Sequence, residues 1–278
     1  MKPAPFEYFR AGTIKDACSA LREANGEARP IAGGQSLGPM LNLRLVQPSL
    51  LVDVSGVAEL SEFDEDGEII KIGACITAAD IEDQRATTPA VPLLSEVAAG
   101  IAYRAIRNRS TIGGSLCHAD PAADWVSLLP ALGASYVLTD GIRTRTVSAE
   151  TFVTSAFETA LEPGEILSAI CIPKLSRDAR LGYVKISRKT GKFALAIGVV
   201  VFDSGRGVFR AVLGATQGKP IVVLDAREIF NRQPDEAPFR IDEPRVTKLL
   251  GEEGVTPGPA LHLHLVALRR AAAKAFPS

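Results

Sequence analysis

The chain has 278 residues, 46% of them hydrophobic and 23% charged, and its formal net charge is −1 at pH 7. That is ordinary globular composition in a chain long enough to bury a core without staples, at roughly 100–200 residues per domain one large domain or two. The near-neutral charge argues against nucleic acid or an acidic membrane as partner, and no apolar run reaches the ~18 residues of a spanning helix.

The opening residues 1–20 lack the apolar core of a signal peptide. Thr13 to Ala24 reads as a helix capped by Thr13. Arg29 to Ala32 reads as a short strand that stops at Gly33-Gly34, and residues 50–54 and 69–76 read as further strands. Thr77 caps a helix reaching about Gln84. Leu93 to Tyr103 is predicted helical, residues 108–119 loop with short extended structure, Ala122 to Leu132 helical, and Ser135 to Thr139 a strand. Pro163-Gly164 punctuates the chain before a strand at Ile166 to Ile172. Beyond it, Tyr183 to Ser187, Ala196 to Phe202 and Phe209 to Ala215 read as consecutive strands of an antiparallel meander. Residues 246–250 and 264–276 read as closing helices. The change of pattern sets a domain boundary near residue 175, giving domains 1–175 and 176–278.

Two glycine segments carry the chemistry. In Pro30-Ile31-Ala32-Gly33-Gly34-Gln35-Ser36-Leu37 a strand runs into paired glycines and a hydroxyl. Paired glycines admit positive φ and close approach of a ligand, and successive exposed N–H groups form an anion-binding concavity. A phosphate would be held there without a cationic side chain. Thr111-Ile112-Gly113-Gly114-Ser115 repeats the recipe, and two such segments suit a ligand with two phosphates. Two ordinary tight turns would give the same residues. Neither segment matches G-x-G-x-x-G or the P-loop. Asp124 follows the second segment. An ionised carboxylate only accepts hydrogen bonds, so it suits a sugar or ribityl hydroxyl rather than a phosphate. Asp120, before Pro121, reads as a helix cap.

Cys18, Cys75, Cys117 and Cys171 are far apart and form no C-x-x-C, which points away from zinc or iron–sulfur clusters on this chain and towards a reduced, cytoplasmic setting. His118 and Asp120 are too few ligands for a metal. Gly34-Gln35-Ser36-Leu37-Gly38 formally matches the nucleophile elbow of hydrolases, with Asp225 and His262 or His264 to complete a triad. Only about 30 residues precede it, too few for the sheet strands that fold needs, and no oxyanion segment is present.

Residues 32–36 and 111–124 resemble the FAD-binding medium subunits of the carbon monoxide dehydrogenase and xanthine dehydrogenase family of molybdenum hydroxylases. The likeness includes Pro5-Phe6-Glu7-Tyr8, residues 43–48, residues 163–167 and residues 185–191, and thins after about residue 215. It implies an α+β chain: a bipartite FAD-binding domain of the vanillyl-alcohol oxidase (PCMH) type, then a smaller domain of antiparallel sheet plus helices. It implies non-covalent FAD on Pro30 to Leu37 and Thr111 to Ser115, with Asp124 on a ribityl or ribose hydroxyl and Ile101, Leu167, Lys185 and Phe193 near the cofactor. A cation such as Lys185 near a flavin pyrimidine favours the anionic reduced ring. Lys192-Phe193 departs from the acidic residue and tyrosine common in relatives, and Gln35 stands where some relatives have histidine. The resemblance further implies [2Fe-2S] clusters on a small partner subunit and molybdopterin on a large one, as a dimer of heterotrimers. Electrons would pass through this chain to an external acceptor, with no catalytic side chain here. A degenerate flavin domain kept as a scaffold is the non-redox alternative.

Overall fold

The structure is a computed structural model that describes residues 2–230 and 240–277. It is α+β, with three principal sheets. The first is parallel, with strand Leu50–Asp53 between Glu7–Arg10 and Ala28–Ile31. Helix Ile14–Glu23 makes the crossover and buries Ala17, Cys18 and Leu21. Its start is fixed by Thr13, whose hydroxyl accepts from the Asp16 amide at 3.1 Å. Parallel pairing places Arg10, Ile31 and Asp53 at one end of this sheet, and the first glycine segment leaves from there.

The second sheet is antiparallel, in the order Phe63–Asp66, Ile69–Gly73, Ile166–Pro173, Ser135–Thr139, Thr144–Ser148. Alternation sends Ile70, Ile72, Tyr136, Leu138, Ile170 and Ile172 into the main core. There they meet helices Leu93–Ala99, Ile112–His118 and Asp124–Leu132. A bulge between Leu167 and Ala169 shifts the register of the central strand.

The third sheet is a meander of Arg180–Ile186, Ala196–Asp203, Val208–Gly214 and Ile221–Val223. Helix Pro259–Ala275 lies on one face. Gly182 and Gly198 let it come close: a Cβ at either would stand 2.8 Å or 2.6 Å from the carbonyl carbon of Ala271 or Ala267. Helix Asp124–Leu132 packs on the other face, and all of its residues are buried. One core therefore runs from the second sheet through this helix to Ile197, Val199 and Val212.

Several elements differ from the sequence expectation. Residues 108–119 hold a helix, Ile112–His118, because Thr111 caps it and its glycines admit close packing rather than breaking it. The helix expected over 93–103 stops at Ala99, where Gly100 and the left-handed Ala102 (φ 43°) turn the chain into a separate turn at Arg104–Arg107. The helix expected from Ala122 starts at Asp124. Asp120 does not cap it but closes a turn, accepting from the Ala122 amide at 2.9 Å. Strands Glu7–Arg10, Phe63–Asp66 and Thr144–Ser148 are sheet edges with charged or hydroxyl residues, which weakens any apolar alternation.

Candidate functional site

The first glycine segment turns its carbonyls inward. Ile31 O accepts from the Val54 amide at 2.9 Å, Gly34 O from Gly38 at 2.9 Å and Ser36 O from Met40 at 3.2 Å. Gly33 O accepts from Gln35 Nε2 at 3.1 Å and from Arg109 Nε at 3.4 Å. Gly34 takes φ +70°, the left-handed conformation that reverses the chain. Among the described residues, none of the amides of residues 32–36 donates to another protein group. The loop therefore presents open N–H dipoles with its acceptors tied back, a concavity suited to an anion.

The structure brings the second segment against the first. A Cβ on Gly33 would overlap the Arg109 carbonyl oxygen and stand 2.6 Å from its carbon and 3.0 Å from Ser110 Cα. Only glycine permits this backbone-to-backbone contact. The second segment itself does not offer the open amides expected of it. Its Ile112 and Gly113 amides donate to Ile76 O (3.0 Å) and Ala74 O (2.9 Å). The Gly114 amide donates to Thr111 Oγ1 at 3.0 Å and the Ser115 amide to Thr111 O at 3.1 Å. Gly113 is glycine for packing, since a Cβ would stand 2.6 Å from Ala74 O. What this segment presents is side chains: the Ser115 hydroxyl is half-buried, and the buried Ser110 hydroxyl has no partner.

Arg107 fixes the chain between these features. Its guanidinium grips Glu82 through two bonds of 2.7 and 2.8 Å and donates to Ile101 O (2.9 Å) and Ala102 O (3.2 Å). That hydrogen bonding holds the Glu82 carboxyl below its usual range. Ile101 is half-buried against the main core. The 187–193 turn rests on the same loop, since Gly191 (φ +76°) lies against the Ala102 carbonyl. Phe193 stands 70% exposed beside this turn, with Tyr103 and Leu195 also exposed. Leu167 is buried at the bulge of the central strand.

Asp124 is 6% exposed and doubly held. One carboxylate oxygen accepts from Tyr183 Oη at 2.5 Å, the other from Lys185 Nζ at 2.9 Å. Lys185 also reaches Gly100 O at 3.4 Å. Burial and the Asp124 charge push the Tyr183 phenol well above its ordinary value, so it stays a neutral donor. These groups line a cavity of about 610 Å³ between Gly100, the edge strand and helix Pro259–Ala275. Sequence reasoning missed Tyr183. The signal was its i, i+2 spacing from Lys185, which puts both side chains on one face of a strand.

The hydrolase alternative finds no triad. Asp225 is paired with Arg227 (2.7 Å), and the buried His264 bonds Ala260 O through Nδ1 (2.9 Å). His118 packs against Phe157 with ring centroids 5.2 Å apart and the rings tilted by 54°. Among the described residues no group of three or more His, Cys, Asp or Glu is placed to hold a metal, and no helix is long and apolar enough to cross a membrane. Burial pushes the Cys75 and Cys117 thiols up to about 12.

Comparison with known proteins decides the family. Residues 4–175 match the FAD binding domain in molybdopterin dehydrogenase. The chain belongs to this family. It is 37% identical over 206 residues to the 6-hydroxypseudooxynicotine dehydrogenase complex subunit alpha of Paenarthrobacter nicotinovorans, covering 73% of this chain and 69% of the relative. It is 37% identical over 217 residues to the carbon monoxide dehydrogenase medium chain of Afipia carboxidovorans, covering 78% and 75%. Among solved structures, a chain of carbon monoxide dehydrogenase from Hydrogenophaga pseudoflava superposes with TM-score 0.85 at 29% identity, over 99% of both chains.

The residues present fit FAD. The open amides of residues 32–36 suit a diphosphate, and Ser110, whose buried hydroxyl has no partner, packs against Gly33. Asp124 and Lys185 are an acceptor and a donor of the kind that sugar hydroxyls and ring carbonyls require. The chain is thus a FAD-binding subunit of the molybdopterin-dehydrogenase family.

Proposed function

We propose that the chain is the electron-transfer subunit of a molybdenum hydroxylase, receiving electrons from iron–sulfur clusters on a small partner and delivering them to an external acceptor. A large molybdopterin subunit would complete the complex, as a cytoplasmic dimer of heterotrimers. The likeness to medium and alpha subunits of multi-subunit dehydrogenases supports this reading. The observation that carries it is the Gly33 contact, which holds open amides against a second polar segment in a family that binds FAD. FAD, when bound, supplies a redox group able to take and give electrons singly or in pairs.

Residues 1–175 form the binding domain in this proposal, and residues 176–278 close over it with Lys185 and Phe193. The amides of residues 32–36, with Pro30, Ile31 and Leu37 framing them, hold the diphosphate. Thr111 to Ser115 support it from the other side. Asp124 accepts from a ribityl or ribose hydroxyl while Tyr183 and Lys185 fix its orientation. The Lys185 charge acts on a ligand only with the Asp124 charge beside it, so the pair adds polarity rather than net charge. Ile101 and Leu167 exclude water by packing.

The test is purification of the chain with its co-eluting partners, followed by flavin, iron and molybdenum analysis. The reading expects near-stoichiometric flavin with both metals on other chains, and reoxidation of the dithionite-reduced complex by NAD, a quinone or oxygen. A complex that holds iron and molybdenum but no flavin, or a flavin that no acceptor reoxidises, contradicts it and favours the scaffold.

A further inference from the structure

The second segment spends its amides of residues 112–115 inside the protein, which leaves mainly side chains, its own and those just before it, to meet a diphosphate. One such side chain is a cation. Arg109 directs Nε at the Gly33 carbonyl from 3.4 Å, and it makes no ion pair among the described residues. Its neighbours Arg104 and Arg107 are both committed to carboxylates, Arg104 to Glu82 and Asp83 and Arg107 to Glu82. Arg109 thus stands at the rim of the open amides with its charge uncompensated. Directly beside it, Ser110 packs against Gly33 and keeps a buried hydroxyl without a partner. An anion held by residues 32–36 would lie beside the Arg109 side chain and against the Ser110 backbone, where a small shift would open the Ser110 hydroxyl to it.

We infer that Arg109 is a diphosphate-contacting residue of the FAD site, with Ser110 as its hydroxyl companion. The sequence pattern by itself points to a phosphate held without a cationic side chain. Arg suits this place because its guanidinium offers several N–H donors in a fixed fork: Nε can stay on Gly33 O while the terminal nitrogens meet phosphate oxygens. Arg109 then has two linked jobs. It ties back the Gly33 carbonyl, which would otherwise face an anion, and it neutralises part of the ligand charge. The inference rests on the flavin reading and adds the residue that distinguishes FAD from a flavin without phosphates.

The test compares three flavins on apoprotein prepared from the purified complex. FAD, FMN and riboflavin are titrated into wild type, Arg109→Gln, Arg109→Lys and Ser110→Ala, with quenching of flavin fluorescence as readout and salt varied from low to high. Arg109→Gln is expected to weaken FAD about tenfold or more, to leave riboflavin within about twofold, and to flatten the salt dependence of FAD binding. Arg109→Lys keeps the charge and is expected to recover part of the FAD preference and the salt dependence. Ser110→Ala is expected to weaken FAD by a few fold. Equal losses for FAD and riboflavin, or no loss for FAD in Arg109→Gln, would overturn the role of Arg109 and leave the flavin site standing. Should wild type take up none of the three flavins, the flavin reading itself fails. Arg109 is exposed, so the apoprotein melting temperature is expected to be unchanged. If Arg109→Gln does melt lower, Arg109→Lys decides, and a Lys variant with no FAD preference over riboflavin overturns the inference.

Discussion

The two glycine pairs look alike in sequence and do opposite things. At Gly33-Gly34 the carbonyls are bonded and the amides of residues 32–36 are open. At Gly113-Gly114 the amides are bonded, and the pair lies in the first turn of a capped helix. Gly33 is small so that two backbones can touch, and Gly34 so that the chain can reverse. Gly113 is small so that a helix can lie on Ala74. Paired glycine therefore says that backbone comes close to something. Only the hydrogen-bond inventory says whether that is a ligand or the protein itself.

This contrast can be broken by mutation. Gly33→Val should have the largest effect. It drives the segments apart at Arg109, and FAD content in the purified protein should fall below about a tenth of wild type, with a stability loss of about 3 kcal/mol in urea unfolding, the upper end of the overpacking range. Retained flavin would mean the contact at Gly33 does not shape the site. Gly113→Ala should come next, costing about 1–3 kcal/mol by overpacking against Ala74, with FAD affinity within a few fold when measured cold. A loss of FAD binding without a loss of stability would reverse the roles assigned to the two pairs. Thr111→Ala should be mildest, about 1 kcal/mol from the lost cap, with Thr111→Ser restoring most of it. If Thr111→Ser fails to restore stability, the Thr111 hydroxyl is not acting as the cap.

Much of the fold was legible because its cues are local. Thr13 and Thr77 caps, the turn at Pro163-Gly164 and the first three meander strands carry their signals in a few residues. The edge strands Phe63–Asp66 and Thr144–Ser148 were not legible, although each pairs with its neighbour in sequence, since their charged and hydroxyl residues hide any apolar alternation. The helix at Ile112–His118 was hidden because its glycines serve a contact with Ala74, about forty residues away, that no local window contains. Asp124 and Lys185 were singled out separately, yet their ion pair and the Tyr183 bond are tertiary facts. The same holds for Arg109, whose meaning appears only when Gly33 lies against it.

Amide hydrogen exchange, resolved to individual residues and followed with and without FAD, addresses the difference between the segments most directly. Residues 32–36 should exchange fast in the apoprotein and slow by about tenfold or more when FAD binds, whereas residues 112–115 should be protected in both states. No slowing at 32–36 in protein saturated with FAD, or protection gained only at 112–115, would contradict the assignment of the diphosphate to the first glycine pair.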